Sequence, residues 1–315
     1  MGSWQARGTS WAIRTLLRCV IVRDATVQAR WARRVSRIRH PLGWLSSGGL
    51  VITPVREGSI RGEWVEAGPS SHARGVVLYL HGGGYVACSP ASHRPITARL
   101  ARLTGRRVLA LDYRLAPEHR FPAALVDCVA AYRWLLDRGV APETIALAGD
   151  SAGGGLVLAT LVRARDEGLR LPASGVCFSP WTDLAATGDS LAGKAGQSGA
   201  LSPERVAAFA AIYLGDASPQ HPHASPLFAD LHGLPPLLIQ AGAGEFLVDD
   251  ARRVHARLLA AGGISTLSIF EDVPHAWQIF DGYIPEARQA LRQAATFIEA
   301  TRSSTGARPT VVASI

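Results

Sequence analysis

Ser151 stands in Gly149-Asp150-Ser151-Ala152-Gly153, a G-x-S-x-G set between an apolar run and a helical one. In that context the pattern predicts a nucleophile elbow, a sharp turn that lifts the hydroxyl clear of a sheet. Glycines are expected two residues either side, because a Cβ there would collide with a neighbouring element. The helix that follows adds oriented amides and a partial positive charge where negative charge develops. A glycine-rich phosphate loop is the competing reading. It is disfavoured because the Lys-Ser/Thr of a Walker loop and the spacing of a dinucleotide fingerprint are both missing. Gly154 and Gly155 prolong the glycine run, and close helix packing is their expected use.

A serine hydroxyl is a weak nucleophile until a base takes its proton, and the chain holds ten histidines. Where the serine comes first in the chain, the base is expected last, after a late strand, with an acid ahead of it. His275 in "EDVPHAWQIF" occupies that place. His255 falls inside a helical pattern, His40 and His72 precede the core, and His221, His223 and His232 lie in a loop-rich region. These six read as surface or core histidines. The acid is sought in "QAGAGEFLVDD", where Glu245 lies nearest the strand end. Asp249 and Asp250 are the alternatives, although capping the following helix suits them better. In "YLHGGGYVACSP" a strand runs out into three glycines. The amides of Gly82 and Gly83, with that of Ala152, are the expected oxyanion hole. Trp181 and Tyr85 are candidate walls of a substrate pocket, with a core role an equal alternative for Trp181.

Such residues need a scaffold. From residue 75 onward, short apolar runs at 75–80, 106–113, 144–149, 175–180, 235–242 and 265–270 read as buried strands. Helical stretches at 121–139, 249–263 and 285–302 alternate with them. That alternation implies a mostly parallel sheet covered on both faces, the α/β class. Residues 1–45 and 184–225 depart from the alternation. The first shows helical spacing of Trp11, Leu16, Val20, Val27, Trp31 and Val35 among arginines; the second has a helical centre at "SPERVAAFAAIYLG". Both are expected to pack over one end of the sheet as a cap.

The net charge of +8 is local. Nine arginines (7, 14, 18, 23, 30, 33, 34, 37 and 39) and one acid, Asp24, occur in residues 1–45, so the remaining body is neutral. No nucleic-acid partner is expected. An interfacial helix touching a membrane surface is the alternative to a cap helix with a solvated arginine face. Cys19, Cys88, Cys128 and Cys177 are widely spaced, which suggests reduced thiols in a cytoplasmic protein rather than disulfides or a metal site. No cofactor is called for.

Several blocks together resemble the bacterial hormone-sensitive-lipase family of serine esterases, a branch of the α/β-hydrolases. They are "HGGG" at 81–84, "DYRLAPEHRFPAALVD" at 112–127, "GDSAGG" at 149–154, "SPWTDL" at 179–184 and "PHAWQIF" at 274–280. The resemblance spans about residues 75 to 300. It implies a triad of Ser151, Glu245 and His275, an oxyanion hole from Gly82, Gly83 and Ala152, and hydrolysis of short- to medium-chain acyl esters through an acyl-enzyme. Amide, lactone or specialised acetyl-ester hydrolysis is the rival within the enzyme class. A non-catalytic, ligand-binding receptor is the rival outside it, opposed by the presence of His275. A homodimer is also implied as an assembly to test. The expected organisation is a basic cap segment at 1–45, a catalytic domain at 46–183 and 226–303, a cap insertion at 184–225 and a loose tail at 304–315. Two departures stand out: the family's acid is usually aspartate in D-x-L-x-D, whereas this chain has Glu245-Phe-Leu-Val-Asp249, and Cys88 replaces a usual glycine.

Overall fold

In a computed structural model, residues 2–19, 49–68, 75–192 and 203–302 are described. Most of the basic segment, the centre of the cap insertion, His40, His72 and the tail expectation at 304–315 lie outside those residues. One sheet of eight strands organises the chain, in the order β1-β2-β4-β3-β5-β6-β7-β8. Six of the strands match the apolar runs: β3 (Val76–Leu80), β4 (Arg107–Leu111), β5 (Ile145–Asp150), β6 (Ser174–Phe178), β7 (Leu237–Gly242) and β8 (Ser265–Phe270). They pair in parallel throughout. Side chains alternate between two cores: Val76, Leu78, Leu80, Ile145 and Leu147 lie on one face. Val77, Tyr79, Ala146 and Ala148 lie on the other. Because both faces are buried at every position of β3, β5, β6 and β7, these strands are mostly apolar and lack a regular polar alternation.

Helices α3 (Ala123–Asp137), α4 (Ala152–Asp166) and α6 (Val248–Ala260) cover the first face. Helices α2 (Arg94–Thr104) and α7 (Pro285–Arg302) cover the second. α1 (Trp4–Cys19) and α5 (Pro203–Leu214) belong to the two segments expected as a cap.

Three elements, a two-stranded hairpin and a helix, fall outside the sequence expectations. β1 (Val51–Glu57) and β2 (Ile60–Glu66) form an antiparallel hairpin turned by Gly58 and Ser59, with β2 also antiparallel to β4. β1 is an edge strand with most side chains exposed, which tolerates Pro54, so it lacks the continuous apolar run of the central strands. α2 is the third. It carries Pro95 in its first turn and ends on Gly105 at φ 62, whose amide donates to the Ala101 carbonyl at 2.9 Å.

α1 docks through small residues. Ser3 donates from its amide to Glu286 Oε1 at 2.6 Å and from its hydroxyl to Oε2 at 2.8 Å. Ala6 packs with Val273, Trp277, Ile284, Ala287 and Ala290, so the helix lies beside the start of α7 and the loop after β8. Trp11 points outward at 70% exposure, and the buried face is instead Ala6 and Ser10. Small side chains are what a close approach to the alanines of α7 requires.

α4 runs directly under the sheet end, with Ala152, Gly153, Gly154 and Gly155 all buried. A Cβ on Gly153 would meet the Leu80 carbonyl, and one on Gly155 the Trp181 carbonyl. Gly153→Ala is therefore expected to lower unfolding stability by about 1–3 kcal/mol, the cost of overpacking. Equilibrium denaturation checks it as a lower midpoint at unchanged slope.

Candidate active site

β5 ends at Asp150, and the chain reverses into α4 through Ser151, which holds φ 53 and ψ −120. A non-glycine residue held in so sparsely populated a region costs roughly 1–3 kcal/mol. The turn is kept by hydrogen bonds from both sides: Ser151 donates its amide to Phe178 at 2.8 Å, and Trp181 donates to the Ser151 carbonyl at 2.9 Å. The hydroxyl is lifted toward the loop after β8. There His275 Nε2 stands 2.9 Å from Ser151 Oγ, and His275 Nδ1 stands 3.2 Å from Glu245 Oε2. The carboxylate can only accept, so Nδ1 carries the proton and Nε2 is left to accept from the serine. Glu245 is 4% exposed, on the turn between β7 and α6. Phe246 lies against the imidazole with ring centroids 4.7 Å apart.

Asp249 and Asp250 are not arranged as the sequence suggested. Neither caps α6, whose N-cap is Leu247 with no side-chain bond. Asp250 Oδ2 accepts from the amides of Thr182 and Asp183 at 2.7 and 2.9 Å. Asp249 Oδ2 accepts from the Ser190 amide at 2.7 Å. Both reach across to the segment after β6, whose turn amides lack strand partners. Asp183 closes the same knot by accepting from Arg253 Nη1 at 3.0 Å.

The expected oxyanion donors need one correction. The Gly82 amide is already committed, donating to Asp150 Oδ1 at 2.9 Å. Gly83 and Gly84 line the cavity over Ser151, at φ 117 and φ 62, conformations that suit glycine. Among the described residues, no acceptor faces either amide. Ala152 begins α4, where first-turn amides have no helical partner. Gly84 is thus a donor candidate the sequence reading passed over, although the unbroken run of three glycines was its signal.

Polar groups under the loop are buried and mostly paired. Burial pushes the His81 imidazole down to about 3, aided by nearby His93. Burial opposes ionisation of Asp150, but His93, through its charge and its hydrogen bond, and Tyr79 hold the carboxyl below its ordinary value.

A cavity of about 310 Å³ opens over Ser151. Val86, Trp181, Val206, Phe209, Phe246, Leu247 and Ile279 make it mainly apolar, and Cys88, His93 and Asp150 share its wall. Val206 and Phe209 come from α5, within the segment 184–225 that the sequence reading expected as a cap insertion. Trp181 lines the cavity as expected. Tyr85 does not: at φ 64 its ring turns inward, 1% exposed, and stacks on Tyr213 at 3.8 Å. It supports Trp181 from behind, with ring centroids 5.6 Å apart. Cys88 sits at φ 71, the conformation that a glycine would hold without strain. Two roomier clefts, of about 670 and 440 Å³, lie between the β1–β2 hairpin and α3 and contain none of the serine, histidine or glycine-loop groups. Among the described residues no three His, Cys, Asp or Glu side chains group as metal ligands.

The profile of the alpha/beta hydrolase fold family matches residues 77–279. An acetyl-hydrolase of Streptomyces hygroscopicus is 42% identical over 273 residues, covering 86% of this chain and 90% of its own. An esterase of Acinetobacter venetianus is 36% identical over 78% of this chain and 81% of its own. Among solved structures, an esterase from the bacterial hormone-sensitive lipase family is 43% identical. It superposes with a TM-score of 0.85, over 96% of this chain and all of the other.

The buried Asp250 sets a measurable pH dependence. Burial raises its carboxyl from 3.8 to about 7 despite the two amides. The folded state then binds more protons than the unfolded one across that window, so this contribution is present below it and lost as pH rises through it. Asp250→Asn is expected to flatten the fall in unfolding free energy between about pH 4 and 7. A series of denaturant titrations across that range checks it; a slope identical to wild type would count against it.

Proposed function

The chain belongs to the hormone-sensitive-lipase family of α/β-hydrolases and is a serine carboxylesterase, the premise from which we propose how its own residues act. Ser151 Oγ attacks the ester carbonyl while His275 Nε2 takes the hydroxyl proton. The tetrahedral oxyanion is met by the amides of Ala152, Gly83 and Gly84. Its collapse expels the alcohol, which receives the proton from His275. Water, deprotonated by the same imidazole, then releases the acyl group from Ser151. Glu245 holds the Nδ1–H tautomer and offsets the charge of the transient imidazolium. The observation that carries this reading is the continuous contact from Ser151 Oγ through His275 to Glu245, at 2.9 and 3.2 Å.

The substrate proposed is a short-chain, uncharged acyl ester. A volume near 310 Å³ lies at the small end of the usual range of about 300–1,000 Å³ for ligand pockets. The wall residues are chiefly apolar, and its polar pair, His93 and Asp150, meets across 3.2 Å. The carbonyl is therefore the polar anchor, and the rest of the substrate is held by shape. The acetyl-hydrolase relative points the same way. No described helix is long and apolar enough to cross a membrane. Free thiols at Cys88, Cys128 and Cys177 support a reducing, cytoplasmic setting.

Ser151→Ala is expected to abolish hydrolysis of p-nitrophenyl acetate and butyrate while far-UV circular dichroism stays unchanged. Retained turnover would end the proposal. Glu245→Ala should lower kcat by about 10⁴-fold, as loss of the histidine's orienting acid does elsewhere. Asp249→Ala should leave kcat within about threefold, since its carboxylate serves the Ser190 amide and not the imidazole. Across an acyl series, kcat/KM should peak at acetyl to butyryl and fall by decanoyl; matched anilides test the amide alternative.

A further inference from the structure

We propose that Asp150 is a positioning residue for the oxyanion loop: one carboxylate grips both ends of the segment 82–93 and sets where the Gly83 and Gly84 amides stand relative to Ser151 Oγ. This rests on the reading of Ser151 as the nucleophile.

The grip is visible bond by bond. Asp150 Oδ1 accepts from the Tyr79 hydroxyl at 2.6 Å and from the Gly82 amide at 2.9 Å. Oδ2 faces His93 Nε2 at 3.2 Å, with both side chains almost fully buried. Tyr79 lies on β3, Gly82 opens the glycine loop, and His93 closes it just before α2. The carboxylate therefore ties the strand, the start of the loop and its end to the residue that precedes the nucleophile. Gly82 can approach so closely only because it lacks a side chain, since a Cβ there would overlap Asp150 Oδ2.

Between its two anchors the loop is stiffened by its own bonds. The amides of Val86 and Ala87 donate to the Gly83 carbonyl at 3.2 and 3.0 Å, and the Ala116 amide donates to the Tyr85 carbonyl at 3.0 Å. At the near end, Tyr113 donates its hydroxyl to the His81 carbonyl at 2.7 Å. A segment rigid within itself and fixed at both ends has little freedom to drift from the serine. Turning the Gly82 amide inward onto Asp150 also leaves the next two amides to face the cavity. Oδ2 is held on the far side by its hydrogen bond with His93 Nε2. Asp150 touches no reacting atom in this scheme; it acts through the donors it places.

Asp150→Asn keeps the volume and one acceptor but removes the charge and presents N–H to His93. The variant is compared with wild type on p-nitrophenyl butyrate, with Ser151→Ala as the zero. A trifluoromethyl ketone of matched chain length probes the oxyanion site. Expected are a fall in kcat of about 100-fold, the scale of losing one oxyanion donor, a KM within about threefold, and ketone affinity lost in step with kcat. A folded Asp150→Asn protein, judged by near-UV circular dichroism, overturns the proposal if it keeps kcat or loses rate through KM alone. His93→Gln and His93→Ala give a test that does not depend on Asp150→Asn folding. The glutamine, which keeps a donor for Oδ2, should retain most of kcat; the alanine should lose about tenfold or more. Equal kcat in the two overturns the proposal. Absence of ester turnover in wild type would instead strike the esterase reading itself.

Discussion

The close contact between α4 and the end of β3 governs everything above it. Gly153 lies against the Leu80 carbonyl with no room for a Cβ, and Gly149, two residues before the serine, is equally confined by Gly153 and Leu80. That proximity forces the chain to turn within one residue, and the residue is Ser151 at φ 53. The strain is held by the parallel sheet, since the Ser151 amide bonds to Phe178 at the end of β6. The same contact places the exit of β3 beside the first turn of α4. Gly83 and Gly84 therefore arrive next to Ala152 as a consequence of strand order, with β3 and β5 neighbours.

Burying polar groups so near a nucleophile costs stability unless each has a partner. Two carboxylates show how the chain meets that cost. Asp150 collects a hydroxyl, an amide and an imidazole. Asp250 collects two amides of the turn that carries Trp181, whose indole in turn donates to the Asp183 carbonyl at 3.2 Å. One carboxylate fixes the oxyanion loop and the other fixes a wall of the cavity. Each reaches across from a different strand–helix junction, so the site is cross-linked by hydrogen bonds to carboxyl groups where the backbone leaves it open.

What the sequence disclosed follows that division. Central strands were legible because burial on both faces leaves apolar runs of the right length, and His275 because only one histidine follows a late strand in a loop. The β1–β2 hairpin was not, since an edge strand with Pro54 and mostly exposed side chains carries no such run. Side-chain direction was harder still. Tyr85 shares the glycine loop yet turns inward, and Asp249 and Asp250 begin a helix yet bond elsewhere. The choice between Gly82 and Gly84 depended on Asp150, one residue before the serine but far from the loop in sequence. Hydrogen bonds between distant segments leave no local periodicity to read.

Glu245 illustrates what a longer acid demands of its surroundings. Its Oε2 reaches His275 Nδ1 at 3.2 Å, whereas its Oε1 is buried without a hydrogen-bond partner among the described residues. An aspartate in the same turn would end one methylene short of that position, so the glutamate bridges a gap the backbone sets. During the reaction the imidazole takes the serine proton, and the carboxylate then faces a cation instead of a neutral ring. The contact between Glu245 and His275 is therefore stronger in the transition state than in the resting site. That difference favours the transition state over the ground state, and it is the only kind of interaction that speeds the chemical step.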